Sequence, residues 1–161
     1  MDNEFYTVRG YELKNYNEKN ITAAMEDYIE MIYRHSLQEE YIRVNQLSKL
    51  LNVRNSSVSK MVQKLATLDL LNYERYGIIT LTDKGKNLGL FLLKRHNIIE
   101  EFLSFLGCND TLVQTELIEH IIDNNTLSHI HMLHNFMKDN SDIIDRYNEY
   151  KRKESVNQNK E

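Results

Sequence analysis

The 161 residues predict a mainly α chain in which three helices and a β-hairpin precede a second group of helices. Three observations predict it. Proline is absent and glycine occurs only five times, which favours helices over turns and strands. Apolar residues recur at helical spacing through most of the chain after residue 21. The exception is one pair of short β-type runs, LLNYER and IITLT, separated by Tyr76-Gly77.

Taken in order, residues 1–21 are polar but carry Phe5, Tyr6, Tyr11 and Tyr16, the composition of an arm that docks on the body. Thr22 is read as an N-cap, with Glu26 and Asp27 in the opening turns that favour acids. Ala24, Tyr28, Met31 and Ile32 then carry a helix to about His35. A shorter helix fits Val44 to Leu51, with Leu47, Leu50 and Leu51 as its stripe. After the turn Asn52-Val53-Arg54, Asn55 or Ser56 caps a third helix that turns Val58, Met61, Val62, Leu65 and Leu68 inward. Tyr76-Gly77 is read as a two-residue hairpin loop. Thr82-Asp83 caps a long helix ending near Gly107. Two more helices fit Asp110 to Asn124 and Thr126 to Asn140, and a polar one follows Ser141 and frays from Lys151 onward.

The composition excludes some classes. A hydrophobic content of 41% supplies a core, yet no apolar run approaches the roughly 18 residues that span a bilayer, so no membrane partner is expected. The polar start MDNEFYTVRG does not resemble a signal peptide. The single Cys108 cannot form an internal disulfide, which fits a reducing cytoplasm, and it reads as a packing residue. A net charge of −4 does not advertise nucleic-acid binding, but a local patch is what decides.

Such a patch exists. The order helix, helix, turn, helix, hairpin is that of a winged helix-turn-helix. Its third helix opens with RNSSVSKMVQK, which has three basic residues and no acid. Away from the apolar stripe it presents Arg54, Asn55, Ser56, Ser57, Ser59, Lys60, Gln63 and Lys64. Hydroxyls, amides and ammonium groups are donors to phosphates and base edges. Arg75 and Tyr76 at the hairpin tip suit a wing that touches the DNA backbone. A plain solvated helix face is the alternative for the helix taken alone.

A second constellation is acidic. Asp27 and Glu30 share a face of the first helix, and His96 lies on the long one. In TELIEH, Glu116, Glu119 and His120 stand at i, i+3 and i+4. Four carboxylates and two imidazoles suit a hard or borderline divalent ion such as Mn²⁺. Each also has a plainer reading, as helix-end acid, solvated stripe or buried hydrogen-bonded histidine, and spacing does not show that three helices converge. A di-iron oxidase is disfavoured because Leu93 and Leu117 stand where Glu-x-x-His would need acids. His129, His131 and His134 read as surface histidines.

The strings MEDYIE, SSVSKMVQKL, LTDKGK, RHNIIEEFL and ELIEH resemble, in that order, the diphtheria-toxin-repressor family, most nearly its manganese transport regulator branch. The resemblance runs from about Thr22 to Asn140 and implies a regulator rather than an enzyme. It implies a winged helix-turn-helix over residues 22–90 and a helical metal-binding and dimerisation domain over 91–140, with 1–21 as arm and 141–161 as polar tail. It also implies Asp27, Glu30, His96, Glu116, Glu119 and His120 as ligands of two Mn²⁺ ions per subunit, with Glu30 and Glu116 bridging. Iron-type relatives have methionine and cysteine at the Asp27 and Glu116 positions; carboxylates at both favour manganese over iron. The chain is also short for the additional C-terminal domain of iron-type members. The implied partners are double-stranded operator DNA and a second copy of the chain. An iron-responsive or metal-independent winged-helix regulator is the rival.

Overall fold

The computed structural model describes residues 21–158, so the expected N-terminal arm lies outside the described residues. The chain divides into two compact units, Met1–Lys94 and Arg95–Glu161.

In the first unit, α1 (Ala23–Ser36) starts after Thr22, whose extended backbone places its carbonyl to accept from the N–H groups of Met25 and Glu26 at 2.8 and 3.0 Å. Its inward face is Met25, Tyr28, Ile29 and Ile32, whereas Ala24 is exposed, so the stripe is rotated from the expected phase. Strand β1 (Ile42–Arg43) leads into α2 (Val44–Leu50). That helix buries Leu47 but leaves Leu50 half exposed at its end. Helix α3 (Asn55–Thr67) contributes Val58, Val62 and Leu65 to the same core. Its N-cap is Arg54, not Asn55 or Ser56, and the Arg54 carbonyl accepts from Ser57 and Val58 at 2.9 and 3.1 Å.

Strands β2 (Leu71–Tyr73) and β3 (Ile78–Leu81) form the hairpin. The sheet order is β1-β3-β2, all antiparallel, with Tyr73 opposite Ile79 and Ile42 also opposite Ile79. The hairpin loop is longer than the two residues expected. Glu74 N–H donates to Ile78 O at 2.9 Å across a 3₁₀ turn, Arg75–Gly77. Tyr76 and Gly77 both take positive φ, 66° and 72°. Two successive left-handed residues turn the chain back, and only Gly77 does so without steric cost.

Helix α4 (Asp83–Leu106) begins where the Thr82 hydroxyl oxygen accepts from Gly85 N–H at 3.1 Å, while the hydroxyl donates to Asp69 O at 2.8 Å. Its first half packs closely through glycines. A Cβ on Gly85 would lie 1.8 Å from Leu70 O, and one on Gly89 would lie 2.4 Å from Tyr33 Cβ.

In the second unit, α4 ends at Gly107, whose φ of 82° lets Cys108 N–H reach back to Leu103 O at 3.1 Å. Helix α5 is Thr111–Ile118, shorter than the expected Asp110 to Asn124. A turn follows, with Ile121 N–H donating to Ile118 O at 3.1 Å, before α6 (Asn124–Asp139). The run IIDNN explains the break. Asp123 accepts from the N–H groups of Asn125 and Thr126 at 2.8 and 3.0 Å, so it caps a new helix instead of continuing the old one. Helix α7 (Ser141–Gln158) runs well past Lys151, where fraying was expected. Tyr147 stacks on Phe105 at 5.6 Å, and Lys151 Nζ donates to Leu106 O at 3.2 Å.

The Asp123 carboxyl is held below its ordinary value near 3.8, first by the Thr126 hydroxyl that donates to it at 2.7 Å. A depressed folded-state value means that the charged cap stabilises fully above the unfolded value and fades as pH falls through the folded one. The difference in thermal stability between the native chain and Asp123→Ala is therefore expected to be largest near neutral pH and to shrink below about pH 4. A pH-independent difference would show that neutral hydrogen bonding carries the cap.

Candidate metal centre and nucleic-acid interface

In the first unit, α1 carries both expected ligands. Asp27 is exposed, whereas Glu30 is buried and its Oε1 accepts from Arg34 Nε and Nη2 at 2.9 and 2.7 Å. Placing arginine one turn after the acid lets the pair share two hydrogen bonds that fix the carboxylate's rotamer.

In the second unit, His96, Glu119 and His120 meet. His96 Nδ1 lies 2.9 Å from Glu119 Oε2, and His120 Nε2 lies 3.8 Å from Glu119 Oε1. Glu119 is 3% exposed and His96 is 4% exposed. Glu119 is the C-cap of α5, with near-helical backbone and its N–H donating to Thr115 O at 2.9 Å. His120 stands in the turn beyond. TELIEH is thus not one unbroken helical face: Glu119 turns inward, while Glu116 is exposed and makes none of these contacts.

The donor set fits a divalent ion. Two cis ligands about 2.1 Å from an octahedral ion lie about 3 Å apart, the spacing of His96 Nδ1 and Glu119 Oε2. Nitrogen and oxygen donors without sulfur suit manganese-like ions. Two further residues of the cluster were not singled out from the sequence. Glu100 Oε2 lies 3.7 Å from His96 Nε2, where a carboxylate can orient a ligating imidazole. Arg95 Nη2 donates to His120 Nδ1 at 3.2 Å. Arg95 lies one before His96 and Glu100 four after it in RHNIIEEFL, and the i, i+4 spacing is the one signal that could have found Glu100.

The expected third histidine group divides. His129 and His131 are exposed, but His134 is buried, 3.7 Å from Glu101 Oε2 and with its ring 5.9 Å from that of Phe105. His134 lies seven residues after Leu127, on the same inward side of α6, which is why it is not a surface residue.

On the DNA side, Arg54, Asn55, Ser56, Ser57, Lys60, Gln63 and Lys64 are all exposed, and Ser59 is half-buried. The first turn of α3 contains no acid, so its N–H groups keep the positive end of the helix open to phosphate. At the wing, Arg75 is exposed and Tyr76 is 89% exposed. Arg43, not foreseen, braces that tip. Its Nη1 donates to Tyr76 O at 3.0 Å, and its guanidinium lies 5.5 Å from the Tyr41 ring centre. The signal was the β-branched pair flanking it in Tyr41-Ile42-Arg43-Val44, too short to read as a strand.

Two family models match the chain: the N-terminal DNA-binding domain of iron dependent repressors over residues 20–79, and their metal binding and dimerisation domain over residues 82–145. The HTH-type transcriptional regulator MntR of Oceanobacillus iheyensis is 42% identical over 125 residues, covering 76% of this chain and 85% of that protein. Among solved structures, a manganese-dependent transcriptional repressor in complex with manganese superposes with a TM-score of 0.64 at 26% identity, over 70% of this chain and 53% of that one. The manganese regulator SloR superposes with a TM-score of 0.62 at 30% identity, over 70% and 54%. The chain spans about half the length of these solved structures. Among the described residues no helix is long and apolar enough to cross a membrane. With a DNA-binding domain matched in its first half and a metal-binding and dimerisation domain in its second, the chain belongs to the iron-dependent repressor family of transcriptional regulators.

Proposed function

We propose that the chain is a manganese-activated repressor that acts in the cytoplasm on manganese uptake genes. The observation that carries this reading is the buried His96–Glu119 pair, nitrogen and oxygen donors at 2.9 Å with no sulfur among the proposed ligands. The winged helix-turn-helix over residues 22–90 reads the operator, and residues 91–140 hold metal and dimerise. The exposed apolar residues of the second unit, Leu117, Ile121, Leu133 and Phe136 among them, suit that dimer.

Asp27, Glu30, His96, Glu116, Glu119 and His120 would hold two Mn²⁺ ions per subunit. Bound cations would supply the positive charge that these acids need, and metal held by them would be coupled to operator binding through α3. Whatever metal adds to operator affinity, operator adds equally to metal affinity. Asn55, Ser56, Ser57 and Ser59 supply donors near the start of α3, Gln63 an amide further along, and Arg54, Lys60, Lys64 and Arg75 supply charge.

The test is a titration of metal-stripped protein with Mn²⁺, Fe²⁺ and Zn²⁺ while operator binding is followed. Manganese should raise operator affinity about 5–150-fold at physiological levels of the ion. Operator binding that ignores all three ions would instead support a metal-independent regulator, and a response confined to Fe²⁺ would overturn the metal assignment.

Lys60 and Lys64 should act through phosphates. Replacing either by alanine is expected to weaken binding to every duplex and to lower the slope of log affinity against log salt by roughly one. A loss confined to the operator, at unchanged slope, would assign that lysine to base reading.

A further inference from the structure

We propose that Arg95 is a latch on His120 that competes with the metal ion and sets the concentration at which the protein responds. The proposal rests on the reading of His120 as a ligand.

The chemistry follows from one contact. Arginine carries only donors and stays charged. With Arg95 Nη2 at 3.2 Å, His120 Nδ1 must accept, so the ring is neutral and its proton sits on Nε2, the nitrogen turned toward Glu119 Oε1 at 3.8 Å. In this arrangement neither ring nitrogen offers a lone pair. Nδ1 has given its own to the guanidinium, and Nε2 carries the proton. Ligation through Nδ1 requires Arg95 to withdraw. Ligation through Nε2 requires the proton to move to Nδ1, where it would face an N–H donor. Either route breaks the Arg95–His120 hydrogen bond.

Arg95 is itself buried, 2% exposed, so the contact is shielded from water. Its position is set by α4, which places Arg95 directly before His96, so the latch and a proposed ligand move as one rigid piece. A cation supplied by the chain thus holds the imidazole until an external one displaces it. Removing Arg95 should therefore tighten metal binding.

The experiment uses full-length protein. Mn²⁺ affinity is measured by calorimetry for the native chain, Arg95→Met, Arg95→Lys, His120→Ala and the double variant Arg95→Met/His120→Ala. Arg95→Met should tighten binding about tenfold, the worth of one charge-assisted hydrogen bond. That gain should vanish in the His120→Ala background. Independently, long-range ¹H–¹⁵N correlation on the metal-stripped native chain should show His120 as the Nε2–H tautomer, and Arg95→Met should release it to a mixture. If His120→Ala weakens Mn²⁺ binding but Arg95→Met leaves it unchanged or weaker, the latch is wrong and the ligand reading stands. If His120→Ala changes nothing, the ligand reading fails and takes the latch with it. Should Arg95→Met not fold, the native tautomer still decides: a proton on Nδ1 overturns the latch.

Discussion

Gly85→Ala is expected to unfold or severely destabilise the first unit. Helix propensity alone predicts the opposite, because alanine in a helix interior is favoured over glycine by about 1 kcal/mol. Packing decides the sign. The new Cβ would lie 1.8 Å from Leu70 O and 2.9 Å from Leu70 C, with Leu81 Cδ2 at 3.1 Å. Two of those atoms are backbone, so no rotamer change relieves the clash. Helix α4 would have to move off the loop that enters β2, uncovering Leu92 and Leu71 from the core. Overpacking that side chains can absorb costs about 1–3 kcal/mol, and this case belongs above that range. A loss of roughly 3 kcal/mol lowers the melting temperature of a domain this size by about 12 °C or more. Thermal unfolding followed by circular dichroism measures it. A variant that melts within a few degrees of the native chain would show that α4 slides along Leu70 without cost.

The second large effect is on metal response. Glu119→Gln keeps side-chain shape and removes the charge. Glu119 is almost fully buried against His96, so its carboxylate has no solvent substitute. Mn²⁺ affinity should fall by at least about tenfold to a hundredfold, the range already seen when only an outer-shell partner of a metal ligand is lost. The manganese-dependent gain in operator affinity should largely disappear, while binding to arbitrary DNA at low salt should stay, because α3 and the wing are untouched. Calorimetry and operator binding on the same preparation separate the two. Undiminished Mn²⁺ affinity would mean that His96–Glu119 is a structural pair and that the metal lies elsewhere.

The helices were legible because each needs one wide apolar stripe, and that stripe is written at a 3.6-residue period. Their ends were less so. Arg54 displaced Asn55 and Ser56 as N-cap because a cap is defined by backbone geometry before side-chain chemistry. The break after Ile118 depends on Asp123 competing for the N–H groups of Asn125 and Thr126, a local contest that periodicity does not register. Strand β1 was invisible because two residues carry no alternation; its partner β3 makes it a strand. Ligand types could be chosen by hardness, so the acidic and imidazole positions stood out. Glu100 and Arg95 did not, because their roles arise only once His96 and His120 are oriented. Histidine is polar by type and predicts exposure, whereas the burial of His134 follows from its place on α6.

The exposed apolar residues of the second unit bear on abundance. Leu117 and Ile121 are 72% and 77% exposed in the single chain, and Leu112, Val113, Leu133 and Phe136 are half exposed or more. A dimer that covers such residues obeys mass action, so its melting temperature rises with chain concentration. Copy number then becomes a variable of regulation in its own right. Halving the number of chains in a cell lowers the assembled population by more than half wherever subunits and dimers coexist. The expression level of the regulator, and not only the supply of its ion, thereby sets how much operator is occupied.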